Sequence, residues 1–253
     1  MILKRVVELS RQTSRNPAIG VVTTASKEGT GAYHRYRSIF SELGVPEVLN
    51  FSIESRDEAS APDMLQRMAE ASALFFSGGD QLRITSVLGG TPFHERLLKE
   101  HRQGLTVAGT SAGASMMSNT MIVSGDAEEA PTKNTVHMAP GMGLWVGAVI
   151  DQHFSQRGRI GRLLSALAQN PGILGVGLDE DTAIEVHLDQ DDLIVWGSRT
   201  VTLLDGRQVL ESNASESRAD RPLAISGVML HVLPQGFGFN LTTRRPYQRQ
   251  RED

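Results

Sequence analysis

The segment Gly109-Thr110-Ser111-Ala112-Gly113 has the form G-x-S-x-G and follows the apolar run Leu105-Thr106-Val107-Ala108. A serine at a sharp strand-to-helix turn is a nucleophile elbow, because the turn exposes the hydroxyl and leaves little room for side chains beside it. Gly109, Ala112 and Gly113 meet that steric demand. The helix start behind Ser111 brings a positive dipole end, and the Ala112 N–H can point at the oxyanion of a tetrahedral intermediate. By itself the pattern also fits an ordinary tight turn. Covalent catalysis through Ser111 is the expectation, and it needs a base, an acid to orient that base, and a second oxyanion donor.

Three further groups supply candidates. Leu74-Phe75-Phe76-Ser77-Gly78-Gly79-Asp80-Gln81 is again an apolar strand, then glycines, then a helix. Its loop belongs at the carboxyl edge of a parallel sheet, where ligands bind in α/β folds. Gly79 is the candidate second oxyanion donor, and the Gln81 amide can hold substrate. Asp151-Gln152-His153-Phe154 is followed by Arg157, Arg159 and Arg162. That density of arginine beside a histidine suggests recognition of carboxylates, since guanidinium forks bind them bidentately. Arg159 and Arg162 are spaced to share a helix face. Last, Gly177-Leu178-Asp179-Glu180-Asp181-Thr182 places three acids at the end of an apolar strand. Any of Asp179, Glu180 and Asp181 can orient a histidine, and equally any can be a solvated turn residue.

These loops require a scaffold, and the hydrophobic patterning provides one. AIGVVTT (18–24) reads as a buried parallel strand. YHRYRSIFSEL places Tyr33, Tyr36, Ile39, Phe40 and Leu43 on one helix face, with Gly44 closing it. VPEVLNFSI, a helix over 61–70, ALFF, TPFHERLLKEHRQG and LTVAG continue the alternation. Repeated βαβ units predict an α/β fold with a mainly parallel sheet flanked by helices. After about Pro171 the strands GILGVGL, TAIEVHL, LIVWGS, TVTLLDG, GVMLHVLP and FGFNLTT follow one another through turns. They are expected as antiparallel or edge additions to that same sheet. ESNASESRAD (211–220) and the charged tail from Arg244 to Asp253 are expected to be exposed, the tail frayed. No internal repeat or Pro-rich linker interrupts the chain, so one domain over residues 1–253 is expected.

Composition narrows the chemistry. With 25 basic and 29 acidic residues the net charge is −4, which argues against a nucleic-acid partner. No apolar stretch approaches the roughly 20 residues of a membrane span, and the start at Met1 lacks a secretory h-region, so a cytoplasmic location is expected. The chain has no cysteine, which excludes disulfides, thiolate metal sites and a cysteine nucleophile. Metal hydrolysis has little support: H-E-x-x-H is absent, and His94 and His101 read as surface residues of one helix. An α/β-hydrolase esterase would instead use Ser111, Asp205 and His231 in that order.

In order and spacing, GGDQLRITS (78–86), GTSAGAS (109–115), DQHFSQRGRIGRL (151–163) and GLDEDTA (177–183) resemble the cyanophycinases, relatives of the aspartyl dipeptidases. The resemblance covers nearly the whole chain. It implies a glutamine-amidotransferase-like α/β fold and a serine-type exopeptidase acting on cyanophycin, a polyaspartate backbone with arginine on each side-chain carboxyl. The product would be the β-Asp-Arg dipeptide. Ser111 resembles the family nucleophile, His153 the base and Glu180 the orienting acid. Gln81, Asp151, Gln152, Arg157, Arg159 and Arg162 match positions lining the substrate pocket. The resemblance implies no metal or organic cofactor and a homodimer. An aspartyl dipeptidase and a binding-only homologue are the neighbouring readings. Family members usually begin with a strand and a Gly-Gly-x-Glu loop ahead of the helix that MILKRVVELS resembles. That unit is missing ahead of Met1, which implies an upstream start or a shortened chain with an open sheet edge.

Overall fold

Two of the apolar helix stripes in the sequence cover the same face of one parallel sheet. The computed structural model describes residues 1–14, 16–125 and 130–249. It divides into two compact units, one mainly Leu3–Met117 with Pro140–Leu144, the other mainly Ser118–Ala139 with Trp145–Asp253.

The first unit runs α1 (Ile2–Thr13), β1 (Ala18–Val22), α2 (Thr30–Glu42), β2 (Glu47–Phe51), α3 (Pro62–Glu70), β3 (Ala73–Phe76), α4 (Gln81–Leu88), α5 (Pro92–Arg102), β4 (Thr106–Gly109) and α6 (Ala112–Ser115). Its sheet is parallel in the order β2-β1-β3-β4. Strand β1 is buried along its whole length, which is why AIGVV is continuously apolar rather than alternating. Ile19, Val21, Ala73 and Phe75 pack with Val6 and Val7 of α1 and Phe40 of α2. The Phe40 and Phe75 rings meet edge to face with centroids 5.5 Å apart. On the opposite face, Phe51 reaches Phe93 of α5 at 6.0 Å. Gly20 makes room there, because a Cβ would run into Leu74 and Phe51. Gly44 closes α2 at φ 79, its N–H donating to Ser41 at 2.9 Å. Phe76 lies opposite Gly109, so the loops after β3 and β4 leave the same sheet edge side by side.

The second unit contains β5 (Thr120–Ser124), β6 (His137–Pro140), β7 (Ala148–Gln152), α7 (Ile160–Gln169), β8 (Leu174–Leu178), β9 (Thr182–His187), β10 (Asp192–Gly197), β11 (Thr200–Asp205), β12 (Glu211–Ser212), β13 (Ile225–Ser226), β14 (Met229–Pro234), β15 (Phe237–Asn240) and β16 (Arg245–Gln248). Strand β7 pairs with β8 in parallel, and β8, β11 and β14 continue that sheet antiparallel. Strands β9, β10, β15 and β16 form a second antiparallel sheet. Leu163, Ala166 and Leu167 of α7 pack on Val149, Phe154 and Leu204.

Two expectations are corrected. Among the described residues the C-terminal strands are not in the β2-β1-β3-β4 sheet; they take their hydrogen-bond partners from one another, through the hairpins β9–β10 and β15–β16 and the non-consecutive antiparallel pairs β8–β11 and β11–β14. The charged tail is partly ordered: Arg245–Gln248 is strand β16, anchored by the Tyr247 hydroxyl donating to both Asp192 oxygens at 2.7 and 2.8 Å. Burial and that carboxylate push the Tyr247 phenol up to about 12. Residues 250–253 of the expected frayed tail lie outside the described residues. Among the described residues no helix is long and apolar enough to cross a membrane.

Phe40 is fully buried at the meeting of α2 with β1 and β3. Phe40→Ala is expected to lower unfolding free energy by about 3–5 kcal/mol, read as a reduced midpoint in urea at unchanged slope.

Candidate active site

The Ser111 backbone stands at φ 52, ψ −113, a region that side-chain-bearing residues rarely occupy, directly before α6. Close packing holds it there. A Cβ at Gly113 would collide with the Phe76 carbonyl, and one at Gly109 with the Gly113 carbonyl. Thr110 N–H donates to the Phe76 carbonyl at 3.0 Å, while Ala114 and Ser115 N–H groups donate to the Ser111 carbonyl at 3.0 Å each. The Ser111 side chain does not cap the helix. Gly78 lies against it, since a Cβ on Gly78 would stand 3.3 Å from the Ser111 Cβ. Gly79, at φ 142, is pressed to the Ala25 carbonyl, and the same carbonyl accepts from Asp80 N–H at 3.0 Å. Asp80 caps α4, accepting from Leu82 and Arg83 N–H groups, and this places Gln81, a buried residue, at the first position of that helix. Ser111, Ala112, Gly79 and Gln81 thus share the carboxyl edge of the first sheet.

In the second unit His153 follows β7, also at positive φ (52). Its Nδ1 lies 2.8 Å from Glu180 Oε1. A carboxylate only accepts, so Nδ1 bears the proton and Nε2 is the basic nitrogen. Of the three acids left open by the sequence, Glu180 is the histidine's partner. Asp179 is buried and faces elsewhere: Oδ1 accepts from Ser155 N–H at 3.0 Å and its hydroxyl at 2.5 Å, and Oδ2 from the Thr200 hydroxyl at 2.8 Å. Burial pushes the Asp179 carboxyl up, but the Ser155 and Thr200 hydrogen bonds together outweigh it and hold the group below the usual carboxylate range. Asp181, at φ 52, forms the turn into β9.

The arginine cluster divides. Arg157 is exposed at the end of a short 3-10 turn, Ser155–Arg157. Arg159 and Arg162 are buried to 8% and 5% exposure around Asp151 at 1%. Arg162 Nε donates to Asp151 Oδ2 at 2.6 Å, its Nη2 to Oδ1, and Arg159 Nη1 reaches the same Oδ1 at 3.3 Å. Arg159 also donates to the Gln152 carbonyl and, at 3.3 Å, to its side-chain Oε1. The carboxylate gripped here is therefore the chain's own, and the grip fixes the last residues of β7 ahead of His153. Burial pulls the Arg159 guanidinium below its usual range, with Asp151 opposing.

The esterase alternative finds no such geometry. Asp205 is taken by Arg207, whose Nε and Nη2 donate at 3.1 to 3.2 Å. His231 lies tilted against Phe239 with ring centroids 5.3 Å apart, its Nε2 buried without a hydrogen-bond partner; burial pulls its imidazole below the usual range, with the Asp205 charge opposing. His94 bridges the Gly90 N–H and the Met142 carbonyl. Among the described residues no three acids or histidines gather to hold a metal ion.

Residues 2–194 match peptidase family S51. The chain belongs to peptidase family S51. Among curated relatives, the cyanophycinase of Geminocystis herdmanii is 38% identical over 229 residues, 90% of this chain and 84% of its own. That of Synechococcus elongatus is 38% identical over 228 residues, covering 90% and 70%. Peptidase E of Streptomyces coelicolor is 26% identical over 202 residues, covering 76% and 75%. A solved peptidase from an acI-B1 actinobacterium shares the fold, with TM-score 0.69 at 20% identity over 94% of this chain and 89% of that one.

The support for His153 is not legible in the sequence: Ser155 and Gln156 stand inside the DQHFSQ segment, yet hydroxyl and amide residues beside a histidine carry no signal until their partners are known. Removing Asp151 leaves two buried guanidiniums without a counter-charge, so Asp151→Ala is expected to cost about 3–5 kcal/mol in a urea melt. Exposed Arg157→Ala is expected to leave the melt within about 0.5 kcal/mol.

Proposed function

We propose that this chain is a serine-type exopeptidase that hydrolyses the polyaspartate backbone of cyanophycin and releases β-Asp-Arg dipeptides. The observation that carries the reading is 38% identity to cyanophycinases over nine-tenths of the chain, 90%. The local chemistry supports it. Ser111 is the nucleophile, His153 the base through Nε2, and Glu180 the acid that holds the ring by its 2.8 Å bond to Nδ1. His153 takes the hydroxyl proton as Ser111 Oγ bonds to a backbone carbonyl carbon, and the Gly79 and Ala112 N–H groups receive the oxyanion. Collapse expels the amine, which takes the proton from His153, and leaves an acyl-enzyme. Water, deprotonated by the same imidazole, then attacks the acyl carbon; the proton passes back to Ser111 Oγ as the ester bond breaks and the acyl group leaves as a free carboxylate.

Gln81, Gln152 and exposed Arg157 contact substrate in this reading, Arg157 meeting a free carboxylate. Asp151, Arg159 and Arg162, which pair with one another, serve the pocket by holding Gln152 and the start of the His153 turn. Residues 1–253 act as one hydrolytic domain, without metal or organic cofactor and without a nucleic-acid or membrane partner. The enzyme works in the cytoplasm as a homodimer, and sedimentation of the purified protein reads that state directly.

Purified protein incubated with insoluble cyanophycin is expected to release β-Asp-Arg, detected by mass. Ser111→Ala and His153→Ala are expected to lower turnover by at least about 10⁴-fold, Glu180→Gln by about 10²–10⁴-fold, and His231→Ala by less than about threefold. Loss of activity in His231→Ala alone would overturn the site. Turnover of Asp-Xaa dipeptides with none of the polymer would replace the substrate reading with that of an aspartyl dipeptidase.

A further inference from the structure

His153 and Glu180 are both open to water, with side chains 27% and 48% exposed. A solvent-exposed ion pair or hydrogen bond between side chains is worth only about 0–1 kcal/mol, too little to hold an imidazole in one orientation. The backbone at this site is also unfavourable, since His153 and Asp181 both stand at φ 52. Such conformations cost about 1–3 kcal/mol each and persist only where the surroundings over-determine them. Beyond the His153–Glu180 bond, the backbone segments that carry the two residues need holding of their own.

The segment 153–156 is laced to 177–180 step by step. Phe154 N–H donates to the Leu178 carbonyl at 3.0 Å, and its ring lies over Gly177, where a Cβ would come within 2.5 Å of it. Ser155 gives Asp179 two hydrogen bonds, from N–H at 3.0 Å and hydroxyl at 2.5 Å. Glu180 N–H donates to Gln156 Oε1 at 3.0 Å, and Gln156 Nε2 donates to the Ser155 hydroxyl at 3.1 Å. On its far side Asp179 Oδ2 accepts from the Thr200 hydroxyl at 2.8 Å and N–H at 3.3 Å, at the start of β11. Asp179 adjoins Glu180 in the chain, and Ser155 is two residues from His153. One buried carboxylate therefore joins the histidine's turn, the acid's strand end and a neighbouring strand.

We propose that Asp179 is the positioning residue that fixes the His153–Glu180 pair, with Gln156 as its second tie. Neither touches the reacting atoms. Asp179 accepts four hydrogen bonds while ionised, and buried charge-assisted bonds of this kind are about twice as strong as neutral ones. Its carboxylate freezes the turn after β7 against the end of β8, and Glu180 then meets Nδ1 without a search. The inference rests on the reading of His153 as the base, and the experiment separates the two.

Three variants are compared with wild type: Asp179→Ala, Asp179→Asn, which keeps one acceptor oxygen for Ser155, and Gln156→Ala, a less buried change that protects against loss of folding. The first readout is the Nδ1–H proton resonance of His153 in ¹⁵N-labelled protein, which does not depend on activity. It is expected downfield and sharp in wild type, broadened or lost in Asp179→Ala, weakened in Gln156→Ala and largely restored in Asp179→Asn. The second is turnover of cyanophycin. A misplacement of about 1 Å can cost about 10²-fold. Asp179→Ala is therefore expected to lower kcat by about 10²-fold with KM within about threefold, Gln156→Ala by about tenfold, and Asn to recover most of the loss. A wild-type resonance and wild-type kcat in both Asp179→Ala and Gln156→Ala would overturn the proposal. A rise in KM with kcat unchanged would overturn it too, since that reports substrate contact. If His153→Ala keeps full turnover, the reading of the base fails instead, and the resonance still decides whether Asp179 orders the ring.

Discussion

The hydrogen bond from His153 Nδ1 to Glu180 decides which ring nitrogen is basic, and the chemistry assigned to this chain depends on that choice. With the proton on Nδ1, the lone pair lies on Nε2, and only one rotation of the ring presents it usefully. Everything described around the histidine restricts that rotation. Asp151 with its two arginines holds the strand that enters the turn, while Asp179 holds the residues that leave it. The two carboxylates do similar work by opposite means: one neutralises buried cations, the other collects neutral N–H and O–H donors.

Backbone strain marks the same places. Of the five non-glycine residues at positive φ among those described, Ser111 and His153 are two, and Asp181 adjoins Glu180. The other two, Asp191 and Arg244, lie in hairpin turns, where such conformations are ordinary. Strain at Ser111 is imposed by packing, through Gly109 and Gly113 pressed on carbonyls. At His153 it is imposed by hydrogen bonds. A packed constraint is insensitive to solvent conditions, whereas a hydrogen-bonded one depends on the ionisation of Asp179. Because the folded-state pKa of Asp179 is depressed, its contribution is complete above the ordinary carboxylate range and fades only as pH falls through the lower folded value.

Much of this was legible in the residues, for identifiable reasons. Strands buried on both faces, such as AIGVV and ALFF, must be continuously apolar, and glycines are unavoidable where backbone meets backbone, so β1, β3 and the elbow announce themselves. The resemblance supplied the roles of His153 and Glu180, which spacing alone left open among three acids. Two features were out of reach. An arginine has the same local pattern whether it awaits a ligand or grips a buried aspartate eight or eleven residues away, as Arg159 and Arg162 do with Asp151. Strand β16 is written in residues that also suit a solvated tail, RPYQ, and it is a strand because β15 offers it a partner.

The glycines of the elbow carry an evolutionary consequence. Gly113 is seated against the carbonyl of Phe76, whose own strand pairs with the one that delivers Ser111. Any side chain added at 109 or 113 would have to move the sheet, so the position of Ser111 is coupled to the register of the core. Position 111 is tied down as well, since its backbone stands at φ 52 and its half-buried side chain lies against Gly78. Descent with modification is therefore narrowly restricted in relocating this spot.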